Sequence, residues 1–189
     1  MSAQDSKLFV ISGPSGAGKG TLVTRVRERR SNLGLTVSAT TRAPRKGEVD
    51  GVNYFFLTRE EFDRRVANGE FVEWAEVHGN CYGTLVSEVQ SKLASGSSLI
   101  LEIDVQGALQ VKERFPEAVL IFIKPTSLEV LRERLVGRGT ETPETIELRM
   151  ANAAHELALA DRYDDVVVND DLDRATDELV RVLDMHERI

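Results

Sequence analysis

Lys19 closes a glycine-rich stretch, Gly13-Pro14-Ser15-Gly16-Ala17-Gly18, in the spacing G-x-x-x-x-G-K. That spacing suits a loop that wraps phosphate oxygens. Its glycines let backbone N–H groups turn inward on an anion, and a helix starting behind them adds positive potential. Lys19 would set a point charge on the outer phosphates. Gly20, followed by Thr21, stands where a Ser or Thr hydroxyl normally touches Mg²⁺. A glycine-rich turn that binds nothing is the plain alternative. Context favours nucleotide phosphate, because an apolar run, Leu8 to Ile11, precedes the loop and a helical pattern follows it.

Phosphoryl transfer asks a catalyst to neutralise and align charge more than to form bonds. Arg134, Arg138 and Arg149 flank the segment Val136-Gly137-Arg138-Gly139-Thr140-Glu141, whose glycines would let it close over a nucleotide. Singly each is an ordinary surface arginine; around a mobile loop in a phosphate-loop chain they point to a catalytic lid. Arg42 and Arg45 bracket Pro44, which keeps the backbone locally extended and could aim both at one anion. Tyr54 and Tyr82 offer phenol donors to the same phosphate. Glu73 interrupts the inward side of the alternating run Phe71-Val72-Glu73-Trp74-Ala75-Glu76-Val77. A carboxylate there can accept the N1–H and amino pair of guanine, though simple solvent exposure explains it equally well. Asp104 ends an apolar run and suits Mg²⁺ or its waters, an acceptor, or the cap of the next helix. Glu102, inside that run, must reach a polar cleft or a partner. Phe71 and Trp74 read as core residues, and His78 and His155 lack metal-ligand spacing.

The elements that must position these groups follow from periodicity. Short apolar runs at 8–11, 35–38, 98–104, 118–123 and 166–168 alternate with helical patterns at 21–30, 108–115, 128–135, 143–160 and from Leu172 onward. That alternation predicts an α/β fold with a parallel sheet covered on both faces. Between them, the polar, Pro- and Gly-punctuated stretch 39–51 reads as a loop. It leads to a strand at 54–57, a helix at 59–67 begun by Thr58 and Glu61, strands at 71–77 and 81–83, and a helix at 84–94. This middle section predicts a small α+β insertion. Over 189 residues the formal net charge is −7, which argues against general nucleic-acid binding. The single cysteine, Cys81, excludes an intramolecular disulfide, and no apolar run reaches membrane-spanning length. A cytoplasmic location, with no nucleic-acid or membrane partner, is the expectation.

Several of these segments resemble guanylate kinases: Gly13 to Lys19, the arginine loop Ser38-Ala39-Thr40-Thr41-Arg42-Ala43-Pro44-Arg45-Lys46-Gly47-Glu48, Gly51-Val52-Asn53-Tyr54, and Phe71 to Ala75. Tyr82-Gly83-Thr84, Ile103 to Gly107, Gly137 to Glu141 and Val168 to Leu172 extend the likeness over nearly the whole chain. The resemblance implies a P-loop three-layer α/β core with a five-stranded parallel sheet (1–37 and 95–189), a GMP-binding insertion (38–94) and a lid at about 137–149. It implies ATP-dependent phosphorylation of GMP, and of dGMP, in purine nucleotide metabolism, with ATP as donor and Mg²⁺ as cofactor. By resemblance, Ser38, Glu73, Gly83, Thr84 and Asp104 contact guanine or its surroundings, and Arg42, Arg45, Tyr54 and Tyr82 hold the GMP phosphate. Gly13, Pro14, Ser15, Gly16, Ala17, Gly18, Lys19, Gly20 and Thr21 cradle ATP, with Asn169 near adenine. Lys19, Arg134, Arg138 and Arg149 stabilise the transferred group. No direct protein ligand to Mg²⁺ is assigned, since Gly20 departs from the usual Ser or Thr. The alternatives are a non-catalytic, guanylate-kinase-like protein-binding module and a kinase of the same fold with another acceptor.

Overall fold

The computed structural model describes residues 6–77, 79–137 and 142–188. Along the chain lie β1 (Leu8–Ser12), α1 (Lys19–Arg29), β2 (Gly34–Leu35), β3 (Ala39–Thr40), β4 (Phe55–Phe56), α2 (Arg59–Ala67), β5 (Phe71–Val77) and β6 (Asn80–Leu85). There follow α3 (Val86–Ala94), β7 (Leu99–Glu102), α4 (Val105–Arg114), β8 (Val119–Pro125), α5 (Leu128–Gly137), α6 (Pro143–Leu157), a 3₁₀ turn (Ala160–Arg162), β9 (Asp165–Asn169) and α7 (Leu172–Glu187).

β1 is buried along its whole length, as an unbroken apolar run must be when helices cover both faces. It pairs in parallel with β7 on one side and β8 on the other, inside a five-stranded sheet ordered β2-β7-β1-β8-β9. Successive side chains point to opposite faces. Phe9 and Ile11 therefore meet Leu22, Val23 and Val26 of α1 and Leu179 and Leu183 of α7. Leu8 and Val10 meet Val89 of α3 and Val105, Ala108 and Val111 of α4. These are the three layers expected from the sequence.

The middle section builds its own four-stranded sheet, β4-β3-β6-β5. Its small core joins Ala39, Phe62, Phe71, Cys81 and Leu85, with the Phe62 and Phe71 rings stacked at 4.3 Å. α3 returns from this sheet by packing Val86, Val89 and Leu93 against the main core.

Capping follows the sequence closely. The Thr58 side chain accepts from Glu61 N at 3.1 Å, Thr142 from Thr145 N at 3.3 Å ahead of Pro143, and Asp171 from Arg174 N at 2.9 Å.

Elsewhere the tertiary structure moves the boundaries. The strand expected at 35–38 is reduced to Gly34–Leu35, because β2 pairs with only two residues of β7 at the sheet edge. Ala39 and Thr40, expected in a loop, form β3 because β6 and β4 flank them. Thr84 stays in β6 rather than opening a helix, since it pairs with Glu73. α4 starts at Val105, three residues early, because the Asp104 carboxylate caps it by accepting from Gly107 N at 2.7 Å. α6 ends at Leu157, short of the expected Ala160.

At a register shift between Phe71 and Glu73, Phe71 is buried in the small core and Val72 in the main one. Trp74, expected in the core, lies 41% exposed with its edge toward Phe62. Among the described residues no helix is long and apolar enough to cross a membrane. His78 and residues 138–141, which include Arg138, lie outside the described residues.

Candidate active site

The loop from Gly13 to Gly18 leaves the C-terminal end of β1 and runs directly into α1. Two of its glycines are required by close contacts. Gly13 has φ 142°, and a Cβ there would stand 2.3 Å from the Ile123 carbonyl oxygen of β8. Gly18 has φ 89°, and its Cβ would stand 2.4 Å from Asn169 Nδ2. Asn169 is the reason for the second: only 5% exposed, it donates from Nδ2 to the Ala17 carbonyl at 2.7 Å. The residue assigned to adenine by resemblance thus anchors the loop through its side-chain amide. It also lines a cleft of about 490 Å³ with Gly16, Gly18, Thr21, Arg134 and Leu172.

Lys19 Nζ donates to the Gly13 carbonyl at 2.5 Å and to the Pro14 carbonyl at 3.0 Å, so its ammonium lies across the loop. Arg149 donates from Nη1 to Ser15 Oγ. Arg134 donates from Nη2 to the Asn169 carbonyl at 3.0 Å. Lys19, Arg134 and Arg149, far apart in sequence, therefore all bond to the loop or to the Asn169 that anchors it. Arg138, expected with them, is outside the described residues.

A second cleft, about 370 Å³, opens on the other side of Gly20. Ser38, Tyr54 and Thr84 of the middle section line it, facing Arg27, Glu102 and Ile103 of the core. Nearby, Glu73 is buried to 9% exposure and its Oε1 accepts from Thr84 Oγ1 at 2.8 Å. The open alternative of solvent exposure for Glu73 is thereby removed. A Cβ built on Gly107 would stand 3.5 Å from both Glu73 Oε2 and Asp104 Oδ1, so the two carboxylates converge on the start of α4. Burial pushes the Glu73 carboxyl above its ordinary range and the Asp104 charge pushes it further; the Thr84 hydrogen bond opposes both. Asp104 fills its capping role with a carboxylate that also lies close to Glu73. Gly83 has a packing explanation, for a Cβ would come within 2.7 Å of the Glu73 carbonyl oxygen across the β5–β6 pair.

The residues that the resemblance assigns to the GMP phosphate gather around Arg42. Its guanidinium stands 5.4 Å from the Tyr54 ring centroid, and the Tyr54 and Tyr82 rings lie edge to face at 6.3 Å. Arg42 donates to both oxygens of Glu48, at 2.9 and 3.0 Å. Glu48 raises the Arg42 pKa above its ordinary value, with a smaller contribution from the Tyr82 phenol, and is itself held below the usual carboxylate range. Arg45 is exposed and joins through its backbone N–H, which donates to Glu48 Oε2 at 2.6 Å.

Two functional candidates escaped the residue-by-residue reading. Glu48 carried no signal beyond its place after two arginines. Glu102 was legible only as an acid in an apolar strand. Its Oε1 and Oε2 stand 3.4 and 3.7 Å from the position a Cβ on Gly20 would take. Open to solvent at its tip yet walled by the cleft, Glu102 has a carboxyl raised by burial and drawn back down by the Lys19 charge. The carboxylate beside Gly20 is therefore Glu102 and not Asp104, which is turned toward Glu73.

The model of the guanylate kinase family matches residues 5–186. A guanylate kinase of Halalkalibacterium halodurans is 51% identical over 183 residues, spanning 97% of this chain and 90% of the relative. One of Gloeobacter violaceus is 56% identical over 178 residues, spanning 94% and 87%. The crystal structure of guanylate kinase from Anaplasma phagocytophilum superposes with a TM-score of 0.73 at 36% identity, covering 97% of this chain and 87% of that one. Sequence likeness over the full length and likeness of fold thus coincide with a two-cleft site built around a phosphate loop, and the chain belongs to the guanylate kinase family.

Proposed function

We propose that this protein transfers the γ-phosphoryl group of ATP to GMP, giving ADP and GDP, by direct in-line displacement. The observation that carries this reading is the cleft beside Gly20, where Ser38, Tyr54 and Thr84 of the middle section face the core, with Glu73 bound to Thr84 and Arg42 beside Tyr54.

On the donor side, backbone N–H groups of residues 13–21 receive the β- and γ-phosphates, and the Lys19 ammonium exchanges the Gly13 and Pro14 carbonyls for phosphate oxygens. The adenosine portion occupies the cleft beside Asn169. On the acceptor side, Glu73 accepts the guanine N1–H and amino hydrogens, with Thr84 fixing the carboxylate orientation and Ser38 and Asp104 completing the base pocket. Arg42, Arg45, Tyr54 and Tyr82 hold the GMP phosphate.

A GMP phosphate oxygen, ionised at neutral pH, attacks the γ-phosphorus while the bond to the β–γ bridging oxygen breaks, so no general base is needed. Arg134, Arg149 and Arg138 offset the charge spread over the transferred group. Closure of residues 38–94 and of the lid at 137–149 excludes water, strengthens these interactions and protects ATP from hydrolysis.

Bound Mg²⁺ would neutralise the charge that develops during transfer, and a hard, oxygen-rich surrounding suits it. Among the described residues no cluster of three or more His, Cys, Asp or Glu side chains could hold a metal. Among the described residues, the carboxylate of Glu102 beside Gly20 would hold the ion through water.

A coupled assay of ADP formation with GMP, dGMP, AMP, CMP and UMP tests the assignment. GMP is expected to be the best acceptor, with dGMP also used because base and phosphate are unchanged. ADP formed with AMP and none with GMP would refute it. The intact Lys19 loop with Arg134 and Arg149 around it disfavours a non-catalytic binding module.

A further inference from the structure

The hydrogen bonds of Arg42 to Glu48 and Ala43 take up one end of its guanidinium and leave its Nε–Nη2 edge to other partners. Nη1 donates to the Ala43 carbonyl at 2.7 Å and to Glu48 Oε2 at 3.0 Å, while Nη2 gives one hydrogen to Glu48 Oε1 at 2.9 Å. A guanidinium carries five N–H donors in a rigid fork. Nε–H and the second Nη2–H are left over by Glu48 and Ala43 and share one edge of the plane, with the Tyr82 phenol also within hydrogen-bonding reach of the guanidinium. That edge has the geometry for two parallel hydrogen bonds to a phosphate.

Glu48 is itself fixed, since Oε2 also accepts from Arg45 N at 2.6 Å, and the pair is largely shielded from solvent. Below the guanidinium the Tyr54 ring at 5.4 Å and the Phe56 ring at 5.8 Å limit its tilt. Arg42 is thus held from its end and from one face, in a loop that has no regular secondary structure to do this.

We propose that Glu48 is a positioning residue for the acceptor phosphate: its end-on grip on Arg42 presents the Nε–Nη2 edge to GMP, and its bond to Arg45 N sets the spacing of the two arginines. The proposal rests on the assignment of Arg42 to the GMP phosphate. A contrary role is chemically reasonable. Glu48 could occupy Arg42 in place of a phosphate and be displaced by it. The two roles predict opposite signs, because a displaced competitor weakens binding and a positioner strengthens it.

The test uses the full-length enzyme and the variants Glu48→Gln and Arg42→Met. KM for GMP, KM for ATP and kcat are measured, with guanosine, which has the base and no phosphate, as competitive inhibitor. Gln keeps the length and one acceptor and loses the charge. Expected for Glu48→Gln is a rise in KM for GMP of about tenfold, with kcat, KM for ATP and guanosine inhibition within about twofold of the parent. A fall in KM for GMP, or no change, overturns positioning. Equal weakening of guanosine or ATP also overturns it, because the residue would then support the fold of the loop and not the phosphate site. Arg42→Met separates the two levels. If it leaves KM for GMP unchanged, the phosphate assignment itself fails; if it raises KM and Glu48→Gln does not, only the role of Glu48 fails.

Discussion

Glu73→Gln is the most informative single change, because the structure predicts opposite effects on binding and on stability. The carboxylate is buried, with Oε1 engaged by Thr84 and Oε2 directed at the space near Asp104 and Gly107. Gln keeps the size and an oxygen for Thr84. It loses the charge and sets an NH₂ donor against the donors of guanine. Hydrogen bonds to a charged group contribute about 1.5–3 kcal/mol each. Losing the better part of two such bonds, about 3 kcal/mol, corresponds to roughly a 150-fold rise in KM for GMP at 1.36 kcal/mol per decade.

KM for ATP should stay within twofold, since the donor cleft lies across Gly20. Stability should behave differently. In the folded state the Glu73 carboxyl is raised above its ordinary value, by burial first and by the Asp104 charge as well. The folded chain holds that proton more tightly than the unfolded chain does. The stabilisation linked to it is complete below the unfolded pKa and is lost as pH rises through the folded one. At neutral pH the ionised side chain is therefore a cost that Gln removes, and the melting temperature should hold or rise. The same raised value makes GMP capture by the parent enzyme weaken as pH falls through it, above the pH where an exposed glutamate would protonate. Steady-state kinetics with each nucleotide varied, and thermal melting in the absence of substrate, check all three. Equal losses for GMP and ATP, or a melting temperature that drops with the GMP effect, would refute the assignment of Glu73 to the base.

Lys19→Met should abolish measurable phosphoryl transfer while leaving the melting temperature nearly unchanged, as the ammonium is held by two carbonyls of the loop itself; retained transfer would remove Lys19 from the reaction. Gly18→Ala should raise KM for ATP at least tenfold and lower the melting temperature, because the new Cβ enters a φ of 89° and meets the Asn169 amide at 2.4 Å. An unchanged ATP affinity would show that the Asn169 anchor does not shape the loop. Glu102→Gln should raise the Mg²⁺ concentration needed for half-maximal rate several-fold, with KM for GMP little altered at saturating Mg²⁺. An unchanged metal dependence would take Glu102 out of the metal's surroundings.

Much of the fold was legible in the chain because its signals are local. The apolar run Leu8 to Ile11, the glycines before Lys19 and the capping residues Thr58 and Thr142 each specify their element through neighbours within a few residues. The residues themselves pointed Arg42, Arg45, Tyr54 and Tyr82 at one anion; the family resemblance implied that this anion is the GMP phosphate and added Ser38 and Thr84 as expected guanine contacts.

What only the tertiary structure decided depends on distant partners. Thr84 belongs to a strand and not a helix because Glu73 pairs with it, and Glu73 is buried because β5 shifts register one residue before it. Trp74 is exposed for the same reason. Asn169 anchors the phosphate loop across 152 residues of sequence. Glu102 faces Gly20 because the parallel pairing of β1 with β7 sets Ile11 beside it. Sequence periodicity reports which residues share a face; which face meets which cleft is settled only when the strands take their order and register.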